Sequence, residues 1–232
     1  MATDGTRYGR VAFVYDLLAG AWSLGAIGRA KLAALEWIEA GDRVLVAGGG
    51  SAEDGVAAAA LGARVTTVDE AEAMTRRARR RADLAGRRCG GFGAGSFEAR
   101  TEDVRFHRPE APYDVVCLPF LLSAFVPADA DELMAGLVAL TREGGTVCLA
   151  EFAPPRGESR GTGSGGTGFF VAGARRLHYA VVAAVFRVLA RNPLRPIPDA
   201  VAVAERAGLV VEERRTIGPF FEVVSARKPM PV

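Results

Sequence analysis

Lysine is almost missing from this 232-residue chain, where Lys31 and Lys228 are the only two. The rest of the basic side is arginine, and with so much alanine and glycine the pattern reads as coding bias in a GC-rich genome. Lys+Arg totals 29 against 27 for Asp+Glu, a net charge of +2, and so small a surplus does not predict a nucleic-acid partner. Cysteine is also scarce. Cys89, Cys117 and Cys148 are odd in number and widely spaced, with no CxxC and no Cys/His cluster, so neither a disulfide framework nor a metal site is expected. Cys117 and Cys148 lie in apolar runs and read as buried free thiols. No uncharged apolar run reaches 18 residues, which argues against a spanning helix. The first residues lack the basic-then-apolar pattern of a signal peptide, so the expected location is the cytoplasm. What the chain does have is apolar residues, half of the total, enough to bury a sizeable core in a single domain over 1–232.

Periodicity orders the chain into alternating elements. The first 40 residues read as a helical cover, with apolar residues at helical spacing over 11–18 and 27–38. Residues 43–47 (RVLVA) read as a strand that runs into Gly48, Gly49 and Gly50. An alanine-rich helix follows over 53–61, a second strand over 64–68 ending at Asp69, and a helix over 70–84. This is one βαβ unit. The third strand falls at 96–99 or at 104–106, and the pattern leaves both open. Residues 113–118 (YDVVCL) form a strand continuous enough to be buried on both faces. A helix over 129–140, a turn at 142–145 (REGG) and a fifth strand over 146–152 (TVCLAEF) complete the central part. Residues 157–168 (GESRGTGSGGTG) read as a flexible loop, and 169–190 as an apolar helix. A short helix over 199–207 precedes two strands, 210–214 and 220–226, close enough to pair antiparallel. The predicted fold is α/β: a Rossmann-like, doubly wound, seven-stranded mixed sheet with a C-terminal antiparallel hairpin.

The glycine turn is the strongest candidate site. Glycines let backbone approach a ligand and open a helix N-terminus toward it. Asp69 stands 21 residues after Gly48, at the end of the next strand, where a carboxylate can accept both hydroxyls of a ribose. Together they predict a ligand containing adenosine at the carboxyl ends of the strands.

At these residues the chain resembles a known family. Val44-Leu45-Val46-Ala47-Gly48-Gly49-Gly50-Ser51-Ala52, then Val65-Thr66-Thr67-Val68-Asp69 and Ala73-Met74, is similar to the class I S-adenosylmethionine-dependent methyltransferases. The nearest flavour is the ubiquinone/menaquinone-biosynthesis methyltransferase-like group. Residues 11–16 (VAFVYD), 113–116 (YDVV), 142–146 (REGGT) and 220–229 (FFEVVSARKP) resemble further segments of that group in the same order. The resemblance implies S-adenosyl-L-methionine as cofactor. It places Gly48, Gly49 and Gly50 along the methionine part, Asp69 on the ribose, and Glu70, Met74 and Glu102 around the nucleoside. Leu118 and the residues to Leu122 lie beneath the methyl group. Three positions depart from the pattern. Val46 stands where the family has an acid, Ala52 where it often has a third glycine, and Arg100 where an acid meets the adenine, with Glu102 and Asp103 close by.

Methyl transfer needs a base only for a weak, protonated nucleophile. Candidates are His178 on the late apolar helix and Tyr15, which with Asp16 lies where the family's N-terminal segment covers the cofactor. His107, between Phe106 and Arg108, reads as a solvated loop residue. The arginines at 76, 77, 79, 80, 81, 87 and 88 spread around a helix and read as a solvated face. The implied partner is a small, lipophilic methyl acceptor shaped by residues 120–125 and the helix over 169–190. That helix also suits a peripheral membrane or lipid contact, or a homodimer contact. Two rival readings remain. One is a non-catalytic methyltransferase-like protein that binds a ligand or partner, which Val46, Ala52 and Arg100 motivate. The other is a nicotinamide-dependent oxidoreductase, against which the missing second nucleotide-binding half argues.

Overall fold

The computed structural model describes residues 25–153, 198–218 and 221–231. Tyr15, Asp16, His178, the loop over 157–168 and the helix over 169–190 lie outside the described residues.

A helix α1 (Ala26–Ala33) continues as a 3-10 turn (Ala34–Trp37) and leads into β1 (Arg43–Ala47). Then come α2 (Glu53–Ala60), β2 (Arg64–Asp69), α3 (Glu72–Cys89) and β3 (Ser96–Thr101). They are followed by β4 (Tyr113–Pro119), α4 (Pro127–Leu140), β5 (Thr141–Phe152), α5 (Ala200–Arg206), β6 (Val210–Ile217) and β7 (Phe221–Arg227). The strands form one sheet in the order β3-β2-β1-β4-β5-β7-β6. The first five are parallel, while β7 runs antiparallel to both β5 and β6. This is the predicted seven-stranded mixed sheet with its C-terminal hairpin.

Each central strand is apolar on both faces, as a sheet covered twice requires. Leu45, Val116, Leu118, Val147 and Leu149 pack on one side against α4 and α5. Their neighbours Val44, Val46, Val115, Cys117 and Cys148 pack on the other, against α2 and the turn after α1. Fully burying one such side chain stabilises by about 1.5–3 kcal/mol. Cys117 and Cys148 are buried free thiols, as expected, and Cys89 is exposed.

Of the two positions left open for the third strand, the structure takes the first, Ser96–Thr101, while Val104–Phe106 is a 3-10 turn that Asp103 caps by accepting from the Arg105 amide. Two local expectations are corrected. The helix after Asp69 begins two residues later and runs to Cys89, because Gly90, at φ +71°, and not Gly86, supplies its left-handed stop. Residues 142–145 are not a turn before β5 but an irregularity inside it. The register against β4 jumps from Tyr113–Thr141 to Val115–Thr146, and Gly144, at φ +69°, absorbs the extra residues.

The order reverses between β1 and β4, since chain growth moves outward to β3 and then returns to β4. Such a switch point leaves a crevice beyond the carboxyl ends of the two strands, where ligands bind in open α/β sheets.

Candidate functional site

Gly48, Gly49 and Gly50 follow β1 directly into that crevice, and each is a glycine for a different reason. Gly48 has φ +65°, and a Cβ on it would come within 2.6 Å of Leu121 Cδ1. A Cβ on Gly49 would sit 2.1 Å from Thr67 Oγ1 on β2. Gly50 has φ +59° with nothing within 4 Å of the Cβ position, so it faces an open cradle. The Gly48 and Gly49 amides donate to the Val68 carbonyl, at 2.8 and 3.3 Å, which ties the turn to the end of β2.

Asp69 closes the cradle from β2. Its Oδ2 accepts from the Gly50 amide and its Oδ1 from the Ala71 amide, both at 2.9 Å. Two backbone donors thus orient the carboxylate toward the crevice. Glu70 is exposed beside it, its carboxyl held above the usual range by partial burial and by the charges of Asp103 and Asp69. Met74 is half-buried in the first turn of α3. Glu102 follows β3, with its amide donating to the Asp69 carbonyl at 3.3 Å. Asp69, Glu70, Glu102 and Asp103 therefore gather at the ends of β2 and β3.

Two sequence expectations change here. Arg100 does not occupy the strand end. It lies within β3, exposed, with its guanidinium on both oxygens of Glu98. The acids at the strand end are Glu102 and Asp103, so the departure assigned to Arg100 disappears. His107 is not a solvated loop residue but fully buried. Its Nδ1 lies 2.7 Å from Glu102 Oε1 and its Nε2 2.8 Å from the Tyr113 hydroxyl. With the proton on Nδ1, the ring donates to Glu102 and accepts from Tyr113. The Arg-rich sequence around His107 hid this, because both partners lie outside its immediate neighbours.

The departure at Ala52 is real. It is a non-glycine residue with φ +50°, fully buried, and it begins α2. A left-handed alanine costs roughly 1–2 kcal/mol relative to its preferred backbone. Phe120, at φ +61°, is the second such residue. It follows β4, and its amide donates to the Ala150 carbonyl at 2.7 Å. Leu118, a predicted cofactor residue, has its side chain buried in the core shared with α4 and α5.

The β4–β5–β7 part of the site is apolar. Phe120 packs on Phe152 with ring centroids 5.1 Å apart and on Phe221 at 5.7 Å. The residue before Phe152 on β5, and so on the opposite face of the sheet, is one that the sequence analysis missed. Glu151 is fully buried, its Oε1 accepts from the Leu122 amide at 2.7 Å, and burial pushes its carboxyl up to about 8. The acid inside the apolar run TVCLAEF was the signal. Glu222 is its cross-strand neighbour on β7, buried as well and paired with Arg214 of β6.

The open cradle at Gly50, the oriented Asp69 carboxylate and the acids at the end of β3 fit an adenosine with free ribose hydroxyls. Comparison with known proteins agrees. Residues 44–145 match a family model described as a methyltransferase domain. No curated protein matches the chain. Among solved structures, it is similar to the magnesium protoporphyrin IX methyltransferase ChlM from Synechocystis PCC 6803, solved with bound SAH. The identity is 17%, with 95% of this chain and 83% of that one covered at a TM-score of 0.55. It is also similar to the 1,6-didemethyltoxoflavin-N1-methyltransferase of Burkholderia thailandensis, at 19% identity, 99% and 92% coverage and a TM-score of 0.61. A third match is the [4+2]-cyclase SpnF, at 12% identity, 88% and 82% coverage and a TM-score of 0.61. Residues 44–145 thus match a methyltransferase domain, on a sheet with the fold of the class I S-adenosylmethionine-dependent methyltransferases.

Proposed function

We propose that this chain uses S-adenosylmethionine to methylate a small, lipophilic molecule. The observation that carries the reading is the Asp69 carboxylate, held by the Gly50 and Ala71 amides at the mouth of a glycine turn. The match of residues 44–145 to a methyltransferase domain supports the reaction type. The lipophilic acceptor is supported by the Phe120, Phe152 and Phe221 cluster and by the sequence resemblance to the quinone-biosynthesis group. The methyltransferases of known fold cited above act on a porphyrin and on a toxoflavin precursor, also ring systems.

When bound, the cofactor supplies a sulfonium-activated methyl group. The protein's own task is alignment and exclusion of water. Asp69 would accept the ribose hydroxyls, while Glu70, Met74 and the acids after β3 would surround the base. Leu121, packed over Gly48, closes the turn from the β4 side. Glu151 holds the Leu122 amide and so fixes the turn that carries Phe120 and Phe125.

A second reading rests on Val46, where the family's acid is missing, and on the SpnF cyclase, a protein of this fold named for another activity. In it the chain binds a ligand without transferring a methyl group. Calorimetric titration of the full chain with S-adenosylmethionine, S-adenosylhomocysteine and NADH tests the first step. Micromolar binding of the two sulfur compounds and none of NADH is expected. Incubation with quinone-like and lipid-like acceptors, read by mass, then tests transfer. Sulfur-compound binding with no methylated acceptor would move the assignment to the second reading.

A further inference from the structure

The basic residues of this chain are not spread evenly. Helix α3 holds seven arginines against two acids in 18 residues, while the whole chain of 232 has a net charge of only +2. The rest of the molecule is therefore net acidic, and the positive charge is concentrated on one element. Coding bias raises arginine everywhere and does not by itself collect it on one helix.

Helix geometry sorts these arginines. At 3.6 residues per turn, Arg76, Arg87, Arg80, Leu84, Arg77, Arg88 and Arg81 succeed one another over about 140° of the helix surface. No acid falls within that arc, and Glu72 and Asp83 lie at one flank of it. Thr75, Ala78 and Ala82, the buried residues of α3, lie on the opposite side, toward β2 and β3. The arc thus faces away from the protein, and Leu84 within it is 49% exposed. Arg76 pairs with Glu72 at 2.8 Å, and Arg81 reaches Glu53 only at 3.8 Å. Both pairs are on the surface, where they contribute little. Arg80, Arg87 and Arg88 are exposed and pair with no carboxylate among the described residues.

Guanidinium groups bind phosphate through paired N–H donors. Two kinds of large surface offer phosphates to such an arc, a nucleic acid and an anionic bilayer. The composition of the arc favours the bilayer. Helix α3 has no aromatic residue on which a base could stack. An exposed leucine among arginines suits an interface where headgroups overlie hydrocarbon. We propose that the arginine arc of α3 docks the protein on a bilayer rich in anionic phospholipid, with the guanidinium groups on headgroup phosphates. The proposal goes beyond the methyltransferase reading and does not depend on it, and a lipophilic acceptor would be met at the same surface.

The test is co-sedimentation of the full chain with vesicles of phosphatidylglycerol and phosphatidylcholine, and with vesicles of phosphatidylcholine alone. Wild type is expected to bind the mixed vesicles only. Each arginine near an anionic surface contributes about fivefold in affinity, so the double variant Arg80→Gln, Arg87→Gln should bind about 25-fold more weakly. The double variant Arg100→Gln, Arg206→Gln changes the net charge equally, but at exposed ion pairs away from the arc, and should lose no more than about twofold. Equal losses in the two double variants would reduce the effect to net charge and overturn the proposal. So would wild-type binding to neutral vesicles as tight as to mixed ones, or binding to neither. A DNA duplex of arbitrary sequence bound at least as tightly as the mixed vesicles, and released by the α3 variant, would overturn it in favour of nucleic acid. Titration with S-adenosylhomocysteine on the same preparations keeps the two readings apart. The α3 variant should bind it as wild type does, which also shows that the variant is folded. No binding of it by wild type would sink the methyltransferase reading and leave the vesicle result to decide this one.

Discussion

The two halves of the sheet's carboxyl edge are built by opposite rules. At the ends of β2 and β3, Asp69, Glu70, Glu102 and Asp103 stand at least partly in solvent, and backbone amides orient the first of them. At the ends of β4, β5 and β7, three phenylalanines pack on one another, and the carboxylates of Glu151 and Glu222 are buried on the opposite face. The first half keeps its acids accessible, which suits hydroxyls and a base. The second hides its acids and presents apolar surface, which suits an acceptor and a dry reaction volume. The same residue type, a carboxylate at a strand end, is thus open to a ligand on one side and enclosed by the fold on the other. Solvent access decides which.

The sharpest way to break this contrast is Asp69→Ala. It removes the acceptor for two ribose hydroxyls, each a charge-assisted contact of about 1.5–3 kcal/mol. Affinity for S-adenosylhomocysteine should fall by at least about 100-fold in calorimetry, with little change in melting temperature. A large melting shift with unchanged affinity would place Asp69 with the structural acids instead.

Glu151 should behave in the reverse way. Its folded-state pKa, about 8, is above its ordinary 4.5, so the folded protein holds the proton more tightly than the unfolded chain. Its contribution to stability is therefore complete below about pH 4.5 and is lost as pH rises toward 8. The full span is a few kcal/mol. Urea unfolding from pH 5 to 9 should show wild-type stability declining, and Glu151→Gln flattening that decline. A wild-type profile indifferent to pH across this range would contradict the sealed-acid account.

A smaller effect separates two adjacent glycines. Gly49→Ala drives a methyl against Thr67 Oγ1 and should lower stability by about 1–3 kcal/mol, as overpacking does. Gly50→Ala meets open space but must hold a positive φ, so about 1 kcal/mol is expected, with a clear loss of cofactor affinity. Equal stability losses would mean that Gly50 also faces packed protein. The smallest effect belongs to Arg100→Ala. An exposed ion pair with Glu98 contributes under about 1 kcal/mol, and cofactor binding should not change. A tenfold loss of binding would return Arg100 to the site.

Much of this was legible from local pattern. The alternation of apolar strands with helices set the sheet and its hairpin, because burial on two faces leaves a continuous apolar run. The glycine turn and Asp69 marked the crevice, because close backbone approach and a strand-end acid are local requirements. The exceptions share a cause. The stop of α3 at Gly90, beyond the expected end at 84, and the irregularity at 142–145 depend on which glycine adopts the left-handed turn. Arg100 and His107 were misjudged because strand registry, not sequence neighbourhood, decides which of several adjacent polar residues reaches a strand end and which turns inward.

The sequence by itself determined the order of elements, the switch point and the acid that ends β2. These follow from periodicity and turn chemistry, which act over a few residues. Only the tertiary structure decided the fate of the other acids. Glu53 and Asp54 are neighbours in one alanine-rich helix, yet the first is exposed and the second buried beside Cys117 and Cys148. Glu102 and His107 meet across a loop, and Glu151 meets the Leu122 amide from another strand. The first is made by the turn after β3 and the second by strands packed from distant parts of the chain, and the free energy of burying a charge is set by what lies across the gap.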